Sequence, residues 1–187
     1  MSVKNGGNSL KKLFKAFCSF VIISSLIFSY APSINAKNIN LTKNTSKTYT
    51  FKNGKTTIYY KYSHKDEFGH YWNIKEKHGA KITKKYQLVE GQRSNLYYEG
   101  YPNSDVGFFL PLPIKVNKKW NNGQGGSKDI WIVKSKNKLV KTKAGTFKNA
   151  IHIYSSTHKT SYYLPPRSGI IKVVTKGKTT FELISRR

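Results

Sequence analysis

From Tyr49 onward the apolar and aromatic residues recur with a period of two, and no stretch sustains a stripe at helical spacing across three turns. Ile58, Tyr60 and Tyr62 share one face of a segment whose other face carries Thr57, Tyr59 and Lys61. His70, Trp72 and Ile74 oppose Tyr71, Asn73, Lys75 and Lys77 in the same way. The alternation continues in Ile82, Tyr86 and Leu88, in Trp131 and Val133, in Phe147, Ile151 and Ile153, and in Phe181 and Leu183. Such a chain folds as strands, about ten of them at the usual spacing of all-β domains. The connections are too short for crossover helices, so neighbours are expected to be antiparallel. Residues 49–187 read as one antiparallel β domain with no internal repeat and no second boundary.

Turn chemistry punctuates the strands. Lys52-Asn53-Gly54-Lys55 separates YTF from TTIYYKY, and Asn-Gly takes the positive φ angles of a tight hairpin. Pro111 and Pro113 cannot donate to a central ladder, so residues 108–120 are expected at an edge or in a crossing segment. Residues 121–127, NNGQGGS, read as a flexible loop, and residues 37–48, KNINLTKNTSKT, as a flexible lead-in outside the core.

Ahead of this domain, Lys4, Lys11, Lys12 and Lys15 precede the apolar run AFCSFVIISSLIFSY; Pro32 and the exit Ile34-Asn35-Ala36 follow. That order is the signature of a secretory signal peptide, residues 1–36, expected to form a helical segment and to be cleaved between Ala36 and Lys37. The run is nearly long enough to span a bilayer, which takes about 20 apolar residues, but its serines and Pro32 favour cleavage over a retained anchor. Contact with the membrane is then transient, through the signal segment alone. Cys18, the only cysteine, leaves with that segment, so the exported domain has neither a disulfide nor a cysteine metal site. Export without disulfides fits a Gram-positive cell.

All eight acidic residues lie past residue 36, whereas four of the 34 basic ones lie before it, leaving the exported domain at +22. A domain so basic attracts polyanions.

The C-terminal half carries FLPLPIKVNKKW at 109–120, VKTKAGTFKNAIHI at 140–153 and SYYLPPRSGIIKV at 161–173. Together these resemble a pattern in uncharacterised secreted proteins and lipoproteins of Gram-positive bacteria, in which an Ala-Gly-Thr-Phe-Lys-Asn turn precedes a Tyr-Tyr-x-Pro-x-x-Gly-x-Ile-Lys strand entry. The resemblance implies a single curved antiparallel sheet or half-barrel, like that of lipoprotein carriers, and no assigned activity. Asn117 stands where a glycine is usual, and Pro166-Arg167-Ser168 replaces Pro-Gly-Val, which bears on turn geometry. Gly145, Phe147 and Gly169 have physical roles without the family. The two glycines supply backbone conformations closed to other residues, and Phe147 begins an apolar face.

No catalytic motif emerges. Ser135 and Lys138 match Ser-x-x-Lys, as chance allows among so many lysines. Ser63-His64-Lys65-Asp66-Glu67 with His70 holds hydrolase residue types, but neighbours on one loop cannot aim at one atom. His64, His70, His78, His152 and His158 match no common zinc spacing. The scattered carboxylates define no glycosidase pair. No enzyme, metal or cofactor is expected.

What remains is a secreted or wall-associated protein held by an anionic cell-wall polymer or anionic lipid surface. One alternative is a carrier or chaperone whose concave face holds an apolar ligand, with Trp72, Trp120 and Trp131 as lining. Another is extracellular nucleic acid bound through interleaved residues such as Tyr59-Tyr60-Lys61-Tyr62, against which export argues. Nothing in the chain sets an oligomeric state.

Overall fold

The computed structural model describes residues 39–104, 107–123 and 127–187; the expected signal segment, its Ala36–Lys37 scissile bond and the centre of the 121–127 loop lie outside them. Among the described residues there are twelve strands and no helix. They are β1 (Tyr49–Asn53), β2 (Thr56–Asp66), β3 (Gly69–His78), β4 (Lys81–Gln92), β5 (Leu96–Gly100), β6 (Gly107–Pro111), β7 (Lys119–Asn121), β8 (Ile130–Thr142), β9 (Gly145–Ser155), β10 (Thr160–Leu164), β11 (Lys172–Thr175) and β12 (Lys178–Arg186).

All twelve form one sheet in the order β6-β5-β4-β3-β2-β1-β12-β11-β10-β9-β8-β7. Two meanders are joined where the first strand pairs with the last, Tyr49 opposite Arg186, and every pairing is antiparallel. The two edges, β6 and β7, are consecutive in the chain, so the sheet stops one pairing short of a closed up-and-down barrel. The Trp120 indole N–H donates to the Phe109 carbonyl across that seam at 3.1 Å. The proline-rich segment therefore does both things expected of it. β6 ends as an edge at Pro111, and the following residues cross to β7.

The first hairpin turns one residue later than expected: Asn53 ends β1 opposite Thr56, the loop is Gly54-Lys55, and of the Asn-Gly pair Gly54 alone has positive φ. Gly54 (φ 56°), Gly145 (φ 130°) and Gly169 (φ 61°) occupy positive φ. Asn117 also does, at 67°, and its N–H donates to the Val133 carbonyl at 2.8 Å. Asparagine is among the few residues that tolerate this conformation.

Two apolar clusters fill the interior. One gathers Tyr49, Phe51, Ile58, Tyr60, Trp72, Ile74 and Leu183 with Val140 and Ala150. The other gathers Leu41, Tyr97, Leu110, Trp131, Ile153 and Leu164. Ile82 departs from its expected face and is exposed. An irregularity opposite Glu76 and Lys77 leaves Thr83 without a partner, so Ile82 pairs with the outward Lys77. One extra residue in a strand inverts every side chain beyond it.

The segment expected as a flexible lead-in is instead packed from Ile39 onward. Gln92 brackets it, accepting from the Leu41 N–H at 2.9 Å and donating to the Ile39 carbonyl at 2.8 Å. On its other side Arg167 N–H and Gly169 N–H donate to the carbonyls of Asn40 and Leu41, both at 2.8 Å. Its polar composition misleads because alternate groups are satisfied by the sheet while Leu41 enters the core.

Candidate polyanion interface

Alternation on β2–β4 buries one face and leaves the other to solvent. Ile58, Tyr60, Trp72 and Ile74 are buried, so their neighbours in sequence project outward. The register places Tyr59, Lys75 and Lys85 in one transverse row and Lys61, Asn73 and Gln87 in the next. Lys77 extends the patch, its ammonium 5.7 Å from the centroid of the Tyr59 ring. The Gln87 amide donates to Asn73 Oδ1 at 3.0 Å. Those two transverse rows and the inward row between them, Tyr49, Tyr60, Ile74 and Tyr86, all contribute to the lining of a cavity of about 1000 Å³.

No carboxylate stands in these two rows; on this side Asp66, at the end of β2, is engaged by the Tyr71 hydroxyl. Glu76 shares the side of Ile74, where it accepts the Tyr86 hydroxyl at 2.8 Å, and Glu90 is buried. Lys75 and Lys85 stand directly opposite one another. Like charges so placed destabilise a sheet by a fraction of a kcal/mol, roughly 0.2–1. An anion lying between them removes that cost.

A second polar cluster lies inside. Lys43 Nζ lies 2.6 Å from Glu99 Oε2 and 3.3 Å from Glu90 Oε1, and the Lys43 N–H donates to Glu90 Oε2 at 2.9 Å. The Tyr97 hydroxyl donates to Glu90 Oε1 at 2.7 Å. Burial alone would lower the Lys43 pKa, but the two carboxylates outweigh it and hold the ammonium charged above its ordinary range. Burial pushes the Glu90 carboxyl upward against the pull of Lys43. The same desolvation drives the Tyr97 and Tyr60 hydroxyls well above their usual range. Gly169 closes the cluster, since a Cβ there would come within 2.7 Å of both Lys43 Nζ and Glu90 Oε1. Nothing in KNINLTKNTSKT signals this burial, because the partners lie about fifty residues away.

The tryptophans proposed as ligand lining are packed. Trp72 is fully buried, edge-on to Tyr49 at 5.6 Å and to Tyr62 at 5.8 Å. Trp131 stacks on Tyr162 at 4.7 Å in the other cluster, and half-buried Trp120 bridges the seam. Phe147 is half-buried under the Arg186 guanidinium, 5.4 Å from its ring centroid.

The suspected hydrolase loop is the end of a hairpin: Ser63 to Asp66 finish β2, Glu67 and Phe68 turn, and His70 lies in β3. Asp66 Oδ1 accepts the N–H groups of Phe68 and Gly69, while His64 stacks on Tyr71 at 4.4 Å. Ser135 donates to Asn137 at 3.1 Å. The fold does assemble one set of triad residue types, Asp129, Ser155 and His158. Here the Ser155 hydroxyl donates to Asp129 at 2.7 Å and His158 Nε2 sits 3.4 Å from the same carboxylate, so the serine faces no base. Burial favours a neutral Asp129, but the donors Trp131, at 2.5 Å, and Ser155 prevail and lower its pKa. Among the described residues no group of three or more histidine, cysteine, aspartate or glutamate side chains is arranged to hold a metal.

No family model, curated protein or solved structure matches the chain.

Proposed function

We propose that the protein is exported, cleaved between Ala36 and Lys37, and held at a Gram-positive envelope by binding an anionic polymer across the outward face of β2–β4, without catalysing a reaction. The observation that carries this reading is the cluster of Lys61, Lys75, Lys77 and Lys85, whose transverse rows hold no carboxylate. Side chains on such a face repeat every ~6.6 Å along a strand and ~4.8 Å between strands. A polymer with anions at comparable intervals reaches Lys77 and Lys75 along β3, Lys85 across from Lys75, and Lys61 on the diagonal. The charge of the whole domain supplies long-range attraction, and this face supplies the place of contact.

The test compares two triple variants of equal charge. Lys61, Lys75 and Lys85 are replaced by glutamine in one, and the exposed Lys136, Lys138 and Lys141 of β8 in the other. Retention on phosphate-bearing wall fragments at low salt should fall several-fold more in the first than in the second, and fragments stripped of phosphate should retain neither. Equal losses would show attraction spread over the whole surface, with no interface on β2–β4. N-terminal sequencing of the exported protein should start at Lys37; an intact Met1 or Ser2 in membrane fractions would reject cleavage.

A further inference from the structure

Beyond the lysines the outward side of the same strands becomes aromatic. On β3 the outward series runs Lys75, Asn73, Tyr71, and on β4 it runs Lys85, Gln87, Val89, with Tyr71 opposite Val89. A second cavity, of about 480 Å³, opens there, with Phe68, Tyr71, Tyr98, Tyr101 and Phe109 among its walls. The slot adjoins the lysines along the strands themselves, since the outward rows pass from Lys75 and Lys85 through Asn73 and Gln87 to Tyr71 and Val89. The Tyr101 ring, 5.6 Å from that of Tyr86, packs on the Ile74 side of the sheet.

The aromatic slot is built rather than incidental. Tyr98 lies opposite Gly91, where a Cβ would stand 2.3 Å from the Tyr98 ring, so only a bare backbone lets that ring cross β4. The Tyr98 hydroxyl donates to the Phe68 carbonyl, and the Arg93 guanidinium lies 5.9 Å from the ring centroid. Both ends of the tyrosine are therefore held. Phe68 stays 52% exposed, a large aromatic surface left to solvent next to a cationic face.

Flat, exposed rings with polar edges suit a ligand that has an apolar C–H face and a hydroxylated rim. A sugar ring has both. An acyl chain needs an enclosed apolar channel, whereas this slot is open and edged by Arg93 and Asn103. We propose that the slot binds a sugar unit carried by the same anionic polymer, so that the ligand is an anionic glycopolymer with its charged links on the lysines and a sugar stacked among Phe68, Tyr71 and Tyr98. The charged half of this statement rests on the function proposed above; the sugar half stands on the slot.

The experiment measures binding of the exported chain to a purified polyol-phosphate polymer with and without its sugar substituents, at low salt and at about 1 M salt, where the Debye length is about 3 Å. The glycosylated form should bind about tenfold more tightly, a difference of roughly 1.4 kcal/mol, and should alone retain measurable binding in high salt. Phe68→Ala should abolish that advantage while leaving low-salt binding of the bare polymer unchanged; Phe68→Tyr should preserve it. A neutral oligosaccharide of the same sugar should compete in high salt against wild type, a readout independent of any variant. Equal affinity for both polymers, or failure of the oligosaccharide to compete, overturns the sugar slot. Single-stranded oligonucleotides competing through the same aromatic residues, where the oligosaccharide does not, would also overturn it in favour of base stacking. Loss of bare-polymer binding at low salt with sugar competition intact would instead reject the lysine face and leave the slot standing.

Discussion

The ammonium of Lys43 and the carboxylate of Glu99 meet at 2.6 Å inside the sheet, tying a segment that forms no strand to the ends of β4 and β5. Removing one member of a buried ion pair costs about 3–5 kcal/mol because the remaining charge has no partner. Lys43→Met is therefore expected to lower the unfolding free energy by about that amount in urea titrations. Adding Glu90→Gln and Glu99→Gln should recover part of the loss. A Lys43→Met protein as stable as wild type would show that the segment's packing owes nothing to the ion pair.

The aromatic slot carries its own stability test. Gly91→Ala puts a methyl group into the space of the Tyr98 ring, where the nearest ring atom would be 2.3 Å away. Overpacking of this kind costs about 1–3 kcal/mol. Tyr98→Ala in the Gly91→Ala background should relieve most of it, since the clash has only that ring as its object. Differential scanning calorimetry of the four proteins gives the coupling directly.

His152 is expected to make stability depend on pH in the acid range. Burial first, then the nearby Lys138 and Lys134, lower its pKa, while its Nε2 lies 3.0 Å from Ser161 Oγ and its ring stacks on Tyr163. A depressed folded-state pKa means that the unfolded chain takes up the proton first. The His152 contribution is thus complete above the ordinary histidine range and lost as pH falls through it. Unfolding free energy measured from about pH 8 to about pH 5 should fall less in His152→Gln than in wild type. Parallel curves would exclude His152 as the source of the slope.

The seam is open to a direct probe. Trp120→Phe removes the one indole N–H that reaches the Phe109 carbonyl. The expected stability loss is about 1 kcal/mol, the ordinary worth of a hydrogen bond. Amide exchange should accelerate in β6 and β7 more than in β1 and β12, which lie at the middle of the sheet. Uniform acceleration would mean that the edges are not held by this contact.

Much of the architecture is written locally. Side chains at alternate positions mark strands, Asn53-Gly54 marks a hairpin, and Pro111 with Pro113 marks an edge and a crossing; each is a property of a few consecutive residues. The exposed lysines and tyrosines of β2–β4 are equally visible as an outward series. Sequence alone determined an all-β, antiparallel, strongly basic domain and the two glycines with positive φ at 145 and 169. Tertiary structure decided the rest, because it depends on pairing between residues far apart. Only the register sets Lys75 against Lys85, only the bulge turns Ile82 outward, and only the closure of β1 on β12 makes one sheet of two meanders. Lys43 is the sharpest case. A lysine in a polar stretch reads as solvated, and its burial becomes affordable only when Glu90, Glu99 and Tyr97 converge on it from strands folded about fifty residues later.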